Sequence, residues 1–528
     1  MAAYGRAVAH FDAMSMPLPD PLENLDADAL RALLREREQQ LARAQQRLSD
    51  HEQQSVQRER LITLKDTTIA KLTHEIAVLR RFRFGKKSEQ VSGVQGSLLE
   101  EAVAADIAAI EEELQQLTDH PRKATPPQQP KRQALSPELP RIEIRHEPDN
   151  ATCACGCQLE RIGEDVAEKL DYVPGVARVE RHIRGKWACR QCETLTQAPM
   201  PAHVIDKGLA TTGLLAHVLV AKYADHLPLY CQQKIFERAG VKLATSTLAD
   251  WVGVCGVRLQ PIVDALRQTI LKHGVLHADE TPIQILRPDT GKKTHRAYLW
   301  AYAPGALENL KAVVYDFAPS RAGEHARAFL GDWRGKLVVD DYAGYKKTFE
   351  QVGVTEAGCW AHARRKFFDL HAANQSQLAT QALDYIGELY AIERDAKTLD
   401  ATQRRRLRQE RAKPIADKLH AWMLAHRLRV PDGSGTAKAL DYSLKRWAAL
   451  TCYLEDGAVP IDNNHIEQQI RPIALGRKNW LFAGSERAGR RAAAVMSLIQ
   501  SAKLNGHDPP CLPERCADAP ADTPEQSY

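Results

Sequence analysis

Leu34, Leu41, Leu48, Ser55, Ile62, Ile69 and Ile76 recur at a strict seven-residue step, the spacing that keeps one seam on the inside of a supercoiled helix. The pattern predicts a coiled-coil helix over 27–82, following an N-terminus (1–26) expected to be disordered. Three residues on from each seam position stand Arg37, Ala44, His51, Arg58, Lys65, Leu72 and Leu79, so the second half of the seam turns apolar only near its end and the zipper is weak. An amphipathic helix packed on its own domain would carry the same text. A basic segment and an acidic helix follow over 83–118, and seven prolines between 119 and 150 mark a linker.

Beyond the linker the period changes. Alternating stretches such as "VARVERHIR" predict strands in a small module over 151–205, and 206–273 reads as helices. Within it, "QQKIFERAGVKLATSTLADWV" has the outline of a helix-turn-helix, with a turn at Gly240 and a second start at Ser246 or Thr247. Two ordinary packed helices give the same string. Next come apolar strands at 274–286 ("GVLHADETPIQIL"), 295–303 and 311–318, a helix at "AGEHARAFLGDW", a fourth strand at 335–345 ("GKLVVDDYAGY"), and helices to about 457. Three strands, a helix, a fourth strand and more helices are the order of a ribonuclease-H-like α/β fold. We expect that domain to span 274–504, with a helical insertion at about 370–457 and a disordered tail at 505–528.

Charge and composition add chemistry to this plan. The net charge is only +5, but the window from Glu467 to Lys503 holds seven basic and two acidic residues, 7 − 2 = +5, a footprint for nucleic acid. "RRFRFGKKSE" at 80–89 interleaves Arg81, Arg83, Lys86 and Lys87 with Phe82 and Phe84, which suits phosphates and bases, although such runs are also ordinary solvated faces. Arg364, Arg365 and Lys366 in "HARRKFFD" and Arg471, Arg477 and Lys478 complete the cations offered to DNA. Five of eleven cysteines fall between Cys153 and Cys192, and this clustering points to metal rather than disulfides. Cys189 and Cys192 have the C-x-x-C spacing of a structural zinc site. Cys153, Cys155 and Cys157 compete for the two remaining places, of which we expect Cys153 and Cys155 to be used. The longest apolar run, "LLAHVLVA" at 214–221, is too short to cross a bilayer, and no charged-then-apolar leader opens the chain. We therefore expect a cytoplasmic protein without a membrane partner.

In the expected fold the first and fourth strands lie side by side, and a later helix can bring a third acid beside them. Asp279, one aspartate of the 340–341 pair and Glu467 fit these roles. Three carboxylates so close repel unless cations lie between them, and oxygen ligands of this kind suit Mg2+ or Mn2+. Two such ions serve in-line displacement at a phosphodiester. An aspartate at a strand end is also a common turn residue, and periodicity alone does not choose between Asp340 and Asp341.

"HADETP", "DDYAGY", "CWAHARRKFFD" and "DNNHIEQQIRPIALGRKNWLFAGS" resemble the signature blocks of the insertion-sequence-66 family of bacterial DDE transposases. "RFRFGKKSEQ" and the cysteine-containing segment resemble that family's N-terminal and zinc-finger blocks. The resemblance runs over about 25–506. It implies metal-dependent cleavage and strand transfer at terminal inverted repeats, DNA as partner and element-encoded accessory proteins, while the heptad run over 27–82 predicts a homo-oligomer. It assigns the triad to Asp279, Asp340 and Glu467, since the family has glycine where Asp341 stands. Cys359 and His362 match a C-x-x-H feature of some DDE transposases, read either as a zinc pair or as a packed helix start. The basic text "ATQRRRLRQERAK" at 401–413 resembles the insertion that interrupts related catalytic domains. From its residues alone it is a solvated basic helix. The tail "PCLPERCADAPADTPEQSY" departs from the family's apolar helical ending.

Overall fold

The computed structural model describes residues 27–84, 94–117, 135, 137, 139–148, 152, 156–173, 176–205, 208–286, 294–480 and 483–507. The expected disordered N-terminus, residues 508–528 of the expected tail, most of the linker, Lys86 and Lys87, and Cys153 and Cys155 lie outside them, whereas Asn505 caps the last helix and bonds to Lys311 O at 2.7 Å. The chain divides into two units, Met1–Glu75 and Ile76–Tyr528. The first unit contains most of helix α1 (Ala27–Phe84), whose seam residues Leu41, Leu48 and Ile62 are 61%, 63% and 57% exposed. No helix among the described residues is long and apolar enough to cross a membrane.

In the second unit, α2 (Val94–Leu117) lies on α5 (Thr245–Ile270). Small residues permit the approach, because a Cβ on Gly253 would stand 2.9 Å from the Ala108 Cβ. Acids on the same helix hold it in place. Asp106 pairs with the buried Arg491 at 3.0 Å, Glu112 with Arg258 at 2.6 Å and Glu113 with Arg487 at 2.7 Å. Glu101 accepts the backbone N–H groups of Leu229 and Tyr230, the first two residues of α4 (Leu229–Arg238). The second helix of the helix-turn-helix-like string is thus the long α5. Leu248, Ala249, Val252 and Cys255 in its first three turns are at most 2% exposed, so that stretch faces the core. Gly240 takes the left-handed turn before it, at φ +83°.

The small module is a sheet of β1 (Arg141–His146), β2 (Glu160–Val173), β3 (Val176–Ala188) and β4 (Leu195–Gln197), with β3 central. The larger sheet contains β5 (Val275–Leu286), β6 (Thr294–Pro304), β7 (Val314–Ala318), β8 (Gly335–Val339) and β9 (Val354–Gly358), in the order β7-β6-β5-β8-β9. β5, β6 and β7 are antiparallel neighbours, while β8 runs parallel to β5 and β9 parallel to β8. The first and fourth strands therefore touch. α6 (Glu324–Leu330) connects β7 to β8. α14 (Asn464–Trp480) and α15 (Glu486–Leu504) cover the face on which Ala301 and Ala303 share a core with Ile466, Ile470 and Ile473.

Between β9 and α14 the chain forms a helical layer with its own core: α8 (Trp360–Asn374), α9 (Gln377–Asp395), α10 (Ala401–Leu407), α11 (Lys413–Arg427), α12 (Gly435–Lys445) and α13 (Trp447–Glu455). The solvated reading of 401–413 is corrected here for two arginines. Arg404 is buried and donates to the carbonyls of Gly457 and Leu399. Arg408 is fully buried, bidentate to Glu393 at 2.8 and 2.6 Å, and donates to the carbonyls of Tyr453, Asp456 and Val459. These carbonyls lie at and just beyond the C-terminal end of α13, where backbone acceptors need external donors. A five-residue π-turn, Arg408–Ala412, begins at this arginine. Arg405, Arg406, Arg411 and Lys413 of the run remain exposed. Arg408→Ala leaves Glu393 and three carbonyls without their donor, and should lower unfolding stability by about 3–5 kcal/mol, read by denaturant melts.

Candidate functional site

β5 alternates its side chains, so His277 and Asp279 share one face while Ala278 and Glu280 share the other. Asp279 is paired in register with Ala301 and His277 with Ala303, and these small partners leave room for α14 above. His277 is fully buried. Its Nε2 accepts the Ala306 N–H at 3.2 Å, so its Nδ1 carries the proton and donates to Asn463 Oδ1 at 2.7 Å. Burial pushes its pKa down to about 3, which keeps the ring neutral. Asn463 Nδ2 in turn donates to Ala278 O at 3.0 Å, and the Asn463 N–H reaches Cys359 Sγ at 3.2 Å. One amide thus fastens the start of α14 to β5 and to the segment entering α8.

Glu467 stands in the first turn of α14. Its Oε1 lies 3.6 Å from His362 Nδ1. Asp340 immediately follows β8, which ends at Val339, and accepts the Tyr342 N–H at 2.9 Å. The two neighbouring aspartates are treated differently. Asp341 is exposed and paired with Arg446 at 2.6 Å, whereas Asp340 and Glu467 both lie close enough to Asp279 to raise its pKa. Burial, then Glu280, Asp340 and Glu467, push Asp279 up to about 8, against one stabilising N–H from Glu280. Glu280 itself is neutralised on the opposite face by Arg321 and accepts the Tyr345 hydroxyl at 3.0 Å. Arg321 stacks on Tyr342 at 3.8 Å and so secures the loop that carries Asp340.

Sequence reasoning did not single out His277, Asn463, Glu280, Arg321 or Arg446. The first two lie in the quoted "HADETP" and "DNNHIE" blocks, but periodicity says nothing of partners so far apart. Cys359 is buried, and burial pushes its thiol up to about 12. Cys359 Sγ, His362 and Glu467 place one ligand atom each within 4.8 Å of one another.

The offered cations divide into several groups. Arg364 and Arg365 are exposed on α8 and, with Arg394, line a groove of about 1160 Å³ that also includes Phe368, Tyr390 and Asn464. None of these three arginines has an acidic partner among the described residues. Lys366 lies 5.7 Å from the Tyr442 ring, and Arg471 is exposed. Arg477 does not stand free as its sequence suggests, because its guanidinium donates to Thr281 Oγ1 and Pro282 O and ties α14 to β5. Arg81, Arg83 and Lys478 lie in helices, α1 for the first two and α14 for the third, but their side chains are outside the described set. In the small module Cys189 is buried and Cys192 exposed on a tight turn closed by Glu193 N–H to Cys189 O. Cys157 donates to Gln191 Oε1 at 2.7 Å, which brings it beside that turn.

Two measurements follow from this geometry. Asn463→Ala strands the buried His277 N–H and should cost about 1–3 kcal/mol, checked by chemical denaturation. Asp279 has a folded pKa of about 8 against an ordinary 3.8, so with divalent ions chelated it weakens the fold progressively as pH rises across that interval. Asp279→Asn should therefore gain melting temperature over the parent protein, with a gain that grows between pH 4 and pH 8 and exceeds about 1 kcal/mol at the upper end.

Comparison with known proteins accounts for most of the chain. Residues 207–491 match the model described as "Transposase IS66 family", 150–193 that of a "zinc-finger binding domain of transposase IS66", and 71–144 "Transposase C of IS166 homeodomain". The uncharacterized protein y4qI of Sinorhizobium fredii (strain NBRC 101917 / NGR234) is 37% identical over 518 residues, 94% of each chain. From the same strain, y4jD is 37% identical over 83% of this chain and 88% of its own, and y4hP 34% identical over 84% of both. An N-terminal helix, a zinc-finger module and an α/β domain with a helical layer are joined in one chain, and the protein belongs to the IS66 transposase family.

Proposed function

We propose that the α/β domain is a ribonuclease-H-like DDE catalytic domain that cuts DNA at the terminal inverted repeats of its element and joins the ends to a target. The sheet order supports the fold reading, with three antiparallel strands followed by two parallel ones on the β5 side. The observation that carries the activity is the meeting of three acids from separate elements, Asp279 on β5, Asp340 at the end of its parallel neighbour β8 and Glu467 in the first turn of α14, close enough for the second and third to raise the pKa of the first.

The donor set fits a hard divalent cation. All three side chains offer oxygen, and no Lys or Arg pairs with any of them among the described residues. Glu467 Oε1 is buried without a hydrogen-bond partner. Asp279, Asp340 and Glu467 would hold Mg2+ or Mn2+. When bound, two such ions supply Lewis acidity to the attacking and leaving oxygens of an in-line phosphodiester displacement. The chain's own residues do the rest. The His277–Asn463 clasp sets the spacing between Asp279 and Glu467. Arg446, bonded to Asp340 O and Asp341, orients the loop so that Asp340 faces inward. Arg364, Arg365 and Arg394 offer unneutralised charge to a phosphate backbone beside the N-terminus of α14, and Arg471 extends that surface. Cys189 and Cys192, with two of Cys153, Cys155 and Cys157, would hold a structural zinc in the zinc-finger module.

Asp279→Asn, Asp340→Asn and Glu467→Gln should each lower metal-dependent strand transfer by roughly 100-fold or more while retaining binding to end DNA, measured with end-labelled duplexes. Activity that survives all three substitutions would refute the assignment. The exposed seam of α1 suits a second copy of the chain. Leu48→Glu should therefore reduce the mass seen by light scattering to that of a monomer, and an unchanged mass would remove this pairing.

A further inference from the structure

His362 Nδ1 and Glu467 Oε1 face each other at 3.6 Å, and both are buried atoms with no hydrogen-bond partner. Two such atoms are costly to leave beside one another in a folded protein. Their separation has a simple meaning in coordination chemistry. Neighbouring ligands about 2.1 Å from one ion stand roughly 3.0 Å apart in octahedral and 3.4 Å in tetrahedral geometry. A small relaxation of either side chain brings the pair into that range. His362 is well placed for this, since it sits in the first turn of α8 and Trp360 N–H to Ile461 O joins that turn to the segment entering α14.

The third atom of the cluster plays another part. Cys359 Sγ is 1% exposed by residue and already receives the Asn463 N–H. It is a soft donor, engaged in the clasp that spaces the carboxylates, and not suited to a hard cation.

We propose that His362 is a further ligand of the catalytic cation, coordinating through Nδ1 beside Glu467. The site then has one nitrogen corner among oxygens. Imidazole favours transition metals over Mg2+, so His362 makes the enzyme prefer Mn2+ to Mg2+. This inference rests on the proposed carboxylate triad.

Pulsed electron paramagnetic resonance on the full-length, zinc-saturated protein titrated with Mn2+ tests it without reference to activity. Directly bound imidazole imprints nitrogen-14 modulation on the Mn2+ echo. The wild type should show that modulation, and His362→Gln should lose it and bind Mn2+ about 10-fold more weakly, with Mg2+ affinity changed less than about 2-fold. A wild-type Mn2+ complex without nitrogen modulation overturns the assignment whatever the variant does, as does modulation that persists in His362→Gln. If Asp279→Asn abolishes Mn2+ binding while His362→Gln alters nothing, this inference fails and the triad stands. If Mn2+ binds all three proteins equally, both fail.

Discussion

The hydrogen bond between His277 and Asn463 joins residues 186 positions apart, and the geometry of the site depends on it. β5 and α14 each carry an acid of the candidate site, and bringing Asp279 close to Glu467 and Asp340 makes its ionised form costly. A neutral, buried, fully satisfied amide–imidazole pair resists that movement without adding a charge of its own. Asn463 does so economically, with its side chain bonded to the ring and to Ala278 O and its backbone bonded to the Cys359 sulfur. Low dielectric strengthens such a network and makes any gap in it expensive.

Around this clasp the acids fall into two classes. Glu280, Asp341 and Glu356 each face an arginine, Arg321 for the first and Arg446 for the other two. Among the described residues, Asp279, Asp340 and Glu467 do not. Neighbouring carboxylates on one short strand end are thus separated by which face they take. Those turned toward arginine brace the loops, and those turned toward one another have no Lys or Arg beside them among the described residues, which with burial holds Asp279 toward its protonated form. The arginines therefore contribute to the site by removing competitors from it.

The same use of buried cations stabilises the surroundings. Arg408 caps the end of α13 from within the helical layer, and Arg491 receives Asp106 from α2 inside the core beside α5 and α15. The acidic helix α2 is consequently part of the second unit's core. The helical layer and the core beside α5 are thus each held by a buried charge pair, for which a missing partner is far more damaging than a surface mutation.

Local chemistry was enough to read much of this protein in one dimension. The heptad step, the proline-rich linker, the cysteine cluster and the alternation of β5, β6 and β7 are properties of neighbours in the chain, and they mark the helix, the module and the strands. The adjacency of β5 and β8 followed from element order. Partner choice was different, because it depends on which side chains meet after the chain has closed over hundreds of residues. Periodicity could not tell Asp340 from Asp341. The decision between them is physical, made by an arginine from α12's C-terminal end that takes one and leaves the other facing Asp279. Nor could a basic run reveal that Arg404 and Arg408 turn inward while Arg405 and Arg406 stay in water, since only the tertiary structure supplies carbonyl acceptors at that depth. The sequence by itself determined the elements and the chemical types available, and tertiary contacts decided which charges are cancelled and which are left to act.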